Sequence, residues 1–248
     1  MSSRRYTLKK GLLIFLVGFV GVCSLLFSSF PLPTELFPDD FSLSETELKL
    51  LILINPTLLL AFSVILGSLL QRPTRLTTPY FDYLVKLEQR TLSSQPLVHG
   101  VAGGIIAGLS ISFVTWLFVP YLPQTYLALS ESVQPAVITR LLYGGITEEI
   151  LVRFGLMTLF VWIGLKIAPR AITGVHITAV LLAALLFAIG HFPALLMMVD
   201  APTPALIAYI LCGNLTGGVV FGYLYWKQGL ESAMVAHIVT HLVMIGFG

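Results

Sequence analysis

The sequence predicts an all-α fold: a polytopic transmembrane helix bundle of about seven to eight helices around a polar intramembrane cavity. Three observations lead there. Hydrophobic residues fill 56% of the 248 positions and charged residues only 10%, with a mean hydropathy of +0.92, whereas a soluble domain carries roughly a quarter charged residues. About seven apolar segments approach the ~20 residues that cross a ~30 Å hydrocarbon core. Glutamates and histidines fall inside those segments, where an ionisable group must face a cavity or a partner.

Residues 11–30 form the first segment. Arg4, Arg5, Lys9 and Lys10 precede it, but its apolar run is longer than the roughly 7–15 residues of a signal-peptide core and no small-x-small cleavage site follows, so it reads as a membrane helix. Residues 32–44 are acidic and proline-bearing, an outer loop. The second segment, 48–70, is interrupted at Pro56. Tyr80, Phe81, Tyr83, Leu84 and Leu87 then recur at helical spacing beside Lys86, Glu88 and Arg90, which predicts an amphipathic helix in the cytoplasmic interface. The remaining segments are 99–120, 136–166, 174–197, 204–226 and 229–247. Gly100, Gly104 and Gly108, Gly213 with Gly217, and Gly218 with Gly222 have the four-residue spacing that lets helix backbones approach closely in lipid. His99 and His176 fall at helix ends and read as interfacial, and Tyr223, Tyr225 and Trp226 beside Lys227 read as an aromatic belt.

Basic residues set the orientation. Eleven of the fourteen Lys and Arg lie on one side if the N-terminus is cytoplasmic, with only Lys49 and Arg140 near the opposite face. This predicts an integral protein of a cell inner membrane, N-terminus inside. A net charge of +2 without a basic cluster excludes nucleic acid as a partner. Cys23 and Cys212 lie in apolar segments and make neither a disulfide framework nor a metal-ligand spacing. No internal repeat marks a transporter. Residues 1–248 read as one integral membrane domain.

The chemistry rests on spacing. Glu149 and Arg153 are four apart and can pair on one helical face, while Glu148 lies ~100° around the helix and is free for another task. Phe187 and His191 are four apart, as are His237 and His241. Two imidazoles so spaced can converge on a water, a metal ion or an oxyanion, although no H-E-x-x-H is present. Where these helices pack together, Glu148, His191, His237 and His241 line one polar cavity suited to hydrolysis. Asn214 either lines that cavity or ties two helices by a hydrogen bond.

The order of these motifs resembles a known family. Glu148 to Arg153 matches EExxxR, Phe187 to His191 matches FxxxH, and His237 opens an HxxxN-like element. In this the chain is similar to the CAAX prenyl protease and bacteriocin-processing (ABI, CPBP) family of intramembrane glutamyl endopeptidases. The resemblance makes residues 135–248 a catalytic core and residues 1–134 accessory transmembrane helices. It implies a peptidase that cleaves near the C-terminus of a peptide or protein, lipidated in the eponymous case, within the bilayer. Glu148 and His191 would activate water, His237 and its partner His241 would hold the oxyanion, and Glu149, Arg153 and Phe187 would support the site.

The family usually has Asn or Asp where this chain has His241. A neutral histidine still donates one N–H to an oxyanion. Three imidazoles and a carboxylate could also form a tetrahedral zinc set. A metal-independent glutamate mechanism without cofactor is therefore the first expectation. A zinc-dependent protease and a non-catalytic immunity or regulatory scaffold on the same fold are the alternatives.

Overall fold

The computed structural model describes residues 3–28, 44–85 and 92–247. Its elements are α1 (Ser3–Ser24), α2 (Glu45–Thr74), α3 (Pro79–Leu84), α4 (Gln95–Phe118), α5 (Gln124–Ser132), α6 (Val137–Ile167), α7 (Ile172–Ile189), α8 (Phe192–Met198), α9 (Pro204–Gln228) and α10 (Leu230–Phe247). Among the described residues there is no strand, and seven helices are long and apolar enough to cross a membrane. Their exposed side chains are large and apolar, Leu16, Phe62, Trp116 and Leu181 among them, as expected of faces solvated by lipid tails.

The outer loop expected over 32–44 lies outside the described residues except for Ser44. That residue begins α2 with a capping box: its hydroxyl accepts from the Glu47 amide at 3.3 Å, and the Glu47 carboxylate accepts from the Ser44 amide at 2.8 Å. The expected break at Pro56 is absent. Helix α2 runs through Pro56 and Pro73, since neighbouring turns and packed helices can compensate for one missing donor in lipid.

Helix packing follows the small residues. A Cβ on Gly104 would meet the Ala236 carbonyl oxygen at 2.5 Å, and one on Gly100 the Ser232 carbonyl at 2.8 Å, so α4 lies almost backbone to backbone on α10. Gly218 brings α9 equally close to Ala184 of α7. The hydroxyl of Thr240 donates to the Gly104 carbonyl at 3.2 Å across the same seam.

Polar ties join the helix ends at both surfaces. At one, Lys10 donates to Gln71 at 2.6 Å and pairs with Asp82 at 3.0 Å, Tyr6 donates to Asp82, and Glu231 accepts from the backbone amides of Tyr80 and Phe81, both at 2.9 Å. Glu231 thus caps the short α3. That helix occupies the start of the amphipathic segment expected near Tyr80, while Lys86, Leu87, Glu88 and Arg90 lie outside the described residues. At the other end, Thr139 donates to the Ser24 carbonyl at 2.6 Å and Ser28 donates to Thr139 at 2.8 Å.

Two residues of the expected interfacial set turn inward. His176 is buried, stacks on Trp226 at 5.3 Å and lies 3.0 Å from the Thr74 carbonyl, linking α7 to the end of α2. Tyr225 is fully buried and hydrogen-bonded to Thr158 at 2.8 Å, so only Tyr223 of that pair faces outward. Aromatic composition alone cannot separate a membrane belt from a tyrosine turned inward toward a hydroxyl partner.

Candidate active site

Helix α6 is not α-helical at its centre. Arg140–Glu148 and Ile150–Met157 form π-helical turns, whose i→i+5 bonding is rare and recurs at functional sites. In this stretch Arg140, Gly144 and Glu148 line a cavity of about 530 Å³, whereas Glu149 and Arg153 are fully buried behind the wall. The expected division of the two glutamates is therefore present, one wet and one sealed.

Behind the wall, Glu149 Oε1 lies 3.1 Å from Arg153 Nη1 and accepts from His237 Nδ1 at 2.8 Å. Arg153 Nη2 donates to the Gly218 carbonyl at 3.2 Å, and its guanidinium lies over the rings of Phe187 at 4.8 Å and Phe221 at 5.4 Å. One buried ion pair thus ties α6 to α7, α9 and α10. Such a pair persists in an apolar interior only where hydrogen bonds and cation–π contacts offset its desolvation. The Glu149 to His237 contact was not foreseen in the sequence, since nothing in residue order sets a separation across two helices.

On the wet side, the cavity is lined by Glu148 and Tyr143 of α6, Phe187 and His191 at the end of α7, Asn214 of α9, and His237 and His241 of α10. Glu148 is within electrostatic range of Tyr143, Arg153 and His237. The expected segment 174–197 is broken: α7 stops at Ile189 and α8 begins at Phe192 with a proline in its first turn, leaving His191 at the junction. His191 Nδ1 lies 2.8 Å from the Phe187 carbonyl, and its ring meets the Phe187 ring edge-on at 4.8 Å. A carbonyl only accepts, so Nδ1 carries the proton and Nε2 of the neutral ring is left as the acceptor. Asn214 lines the cavity and donates to the Ile210 carbonyl of its own helix at 2.9 Å, and among the described residues it makes no hydrogen bond to another helix.

His237 and His241 stack at 4.9 Å with 23° between their planes, and Phe221 covers the other face of His237 at 4.5 Å. A Cβ on Gly144 would lie 2.8 Å from His241 Nε2, so glycine there is what lets α6 approach this imidazole. His237 Nδ1 is already engaged by Glu149. Among the described residues no three His, Cys, Asp or Glu side chains are disposed to hold a metal ion.

The cavity opens at one end of the bundle, where α1, α4, α7 and α10 finish and α6 and α9 begin. Leu25, Ile111, Tyr126, Arg140, Tyr209 and Met244 all reach its wall. The cluster around Lys10, Asp82 and Glu231 marks the opposite end. Arg140 and Tyr143 are cavity residues that sequence reading missed. Their only signal was a cation and a phenol inside an apolar run on the same segment as Glu148.

Residues 131–243 match the family model described as Type II CAAX prenyl endopeptidase Rce1-like. No curated protein and no solved structure matches the chain. The matched span runs from the end of α5 to α10 and contains both glutamates, Arg153, Phe187, His191, Asn214, His237 and His241.

Proposed function

Because residues 131–243 match the model of the Rce1-like CAAX prenyl endopeptidases, we propose that the chain is a metal-independent intramembrane endopeptidase in which Glu148 and His191 activate a water. The observation that carries this reading is the sorting of two adjacent glutamates. Glu148 lines the same cavity as His191, while Glu149 is sealed with Arg153. Water between the Glu148 carboxylate and His191 Nε2 would lose a proton as it attacks the peptide carbonyl, and the same pair would return that proton to the leaving amine. The carbonyl oxygen becomes an oxyanion near the stacked imidazoles. His237 gives Nδ1–H to Glu149, which fixes its ring against that of His241. His241, in place of the family's Asn or Asp, supplies a ring N–H to the oxyanion. Glu149, Arg153 and Phe187 act by positioning.

The substrate is a peptide or protein segment reaching a cavity inside the bilayer. By the distribution of basic residues the surface bearing Lys10 is cytoplasmic, so the cavity mouth faces the outer side and the substrate reaches it from that side or laterally from the membrane.

The experiment is cleavage of peptide libraries by purified protein in lipid nanodiscs, with and without the chelator 1,10-phenanthroline. Glu148→Gln and His191→Ala are each expected to lose about 10²- to 10⁴-fold in rate while retaining the wild-type unfolding midpoint, and chelation is expected to change nothing. Full activity in either variant refutes the assignment. Loss of activity on chelation, restored by Zn²⁺, establishes the zinc alternative. A wild-type protein that binds but never cleaves is the scaffold.

A further inference from the structure

Arg140 has no part in the scheme above, yet it stands in the wall of the active cavity. It also lines the adjoining groove of about 750 Å³ between the ends of α4 and α10, so the two spaces meet at this side chain together with Tyr209 and Met244. It is half-buried, and among the described residues its side chain makes no ion pair or hydrogen bond. The other guanidinium of α6, Arg153, is sealed behind the wall with Glu149 and Gly218. A desolvated cation without a counter-charge is costly, and a guanidinium is the group best shaped to take a carboxylate in two parallel hydrogen bonds.

The position of Arg140 says which carboxylate. It precedes Glu148 by eight residues on α6, about 12 Å along the axis at an α-helical rise and less in the wider π-helical turns, which rise less per residue. An extended peptide covers roughly 3.3–3.6 Å per residue. A substrate whose scissile carbonyl sits at Glu148 would therefore bring to Arg140 a group about three residues farther along, or fewer. From these distances we infer that Arg140 is the specificity residue that binds the free C-terminal α-carboxylate of the substrate, so that the enzyme measures its cut from the chain end. This rests on the peptidase reading and adds to it a reason for cleavage near a terminus.

The test uses decapeptide libraries randomised over their last four positions, made once with a free C-terminal carboxylate and once as the C-terminal amide. Both are presented to wild-type protein, Arg140→Gln and Arg140→Lys in nanodiscs. The wild type is expected to prefer the acid by about 10- to 100-fold in kcat/KM, mainly through KM, as for a hydrogen-bonded charge pair. In Arg140→Gln that ratio should fall to near one, and Arg140→Lys should keep part of it. A second readout is polarisation binding of fluorescein-labelled libraries to Glu148→Gln protein, with and without Arg140→Gln. Equal cleavage of acid and amide by the wild type, or an unchanged ratio in Arg140→Gln, overturns the anchor and leaves the peptidase standing. Acid-selective binding that depends on Arg140, with no cleavage by the wild type, upholds the anchor and sinks the peptidase. Neither binding nor cleavage of either library overturns both.

Discussion

The carboxylate of Glu149 holds the imidazole of His237 at 2.8 Å, and the same oxygen lies 3.1 Å from Arg153. Two helices distant in sequence are thereby locked by one acceptor that itself has no solvent exposure. Replacing Glu149 or Arg153 singly by alanine leaves a buried charge uncompensated and should destabilise the protein by about 3–5 kcal/mol. The double variant Glu149→Leu/Arg153→Met should recover much of that stability without recovering cleavage, because His237 would still lack its acceptor. Unfolding in mixed detergent micelles measures it. Strictly additive losses in the double variant would show that the pair is not coupled.

Gly104 tests the seam that places the two histidines of α10. Its Cβ would stand 2.5 Å from the Ala236 carbonyl and 2.6 Å from Val239 Cβ, so Gly104→Val must push α4 away from the helix carrying His237 and His241. A loss of about 1–3 kcal/mol is expected for such overpacking, together with reduced activity. Gly174, near the start of α7, has nothing within 4 Å of that position, and Gly174→Ala should be neutral or stabilise by up to ~1 kcal/mol. Equal thermal midpoints for the two variants would contradict the packing described.

Glu231 receives the first amides of α3 from 150 residues away in sequence. Glu231→Ala should cost about 1–3 kcal/mol by leaving those buried donors without an acceptor. The effect should be local: hydrogen exchange at Tyr80 and Phe81 should accelerate far more than exchange within α9. Unchanged protection at those two amides would remove the cap from the account.

Orientation has its own measurement. With seven spans and a cytoplasmic N-terminus, a green fluorescent protein fused before Met1 should fluoresce and alkaline phosphatase fused after Gly248 should be active. The opposite pattern would put the cavity mouth on the cytoplasmic side, and with it the source of substrate.

The bundle was legible in the sequence because lipid imposes a simple demand, a run of apolar residues long enough to cross with every backbone group paired internally. The candidate residues were legible because charges inside such runs are expensive and stand out: Glu148, Glu149, Arg153, His191 and His237 are conspicuous against leucine and valine. The α-helical arithmetic paired Glu149 with Arg153 correctly even though the turns between them are π-helical. It did not foresee that widening, nor the break that leaves His191 at the junction of α7 and α8.

By itself, then, the sequence determined that this protein is a membrane-embedded helix bundle with carboxylate and imidazole side chains set in the apolar runs of its second half, since composition and spacing are local properties. Only the tertiary structure decided which glutamate is wet, which nitrogen of His191 is free, that His237 leans on Glu149, and that Arg140 shares the cavity. Those are distances between helices, and they depend on where glycines such as Gly104, Gly144 and Gly218 let backbones touch.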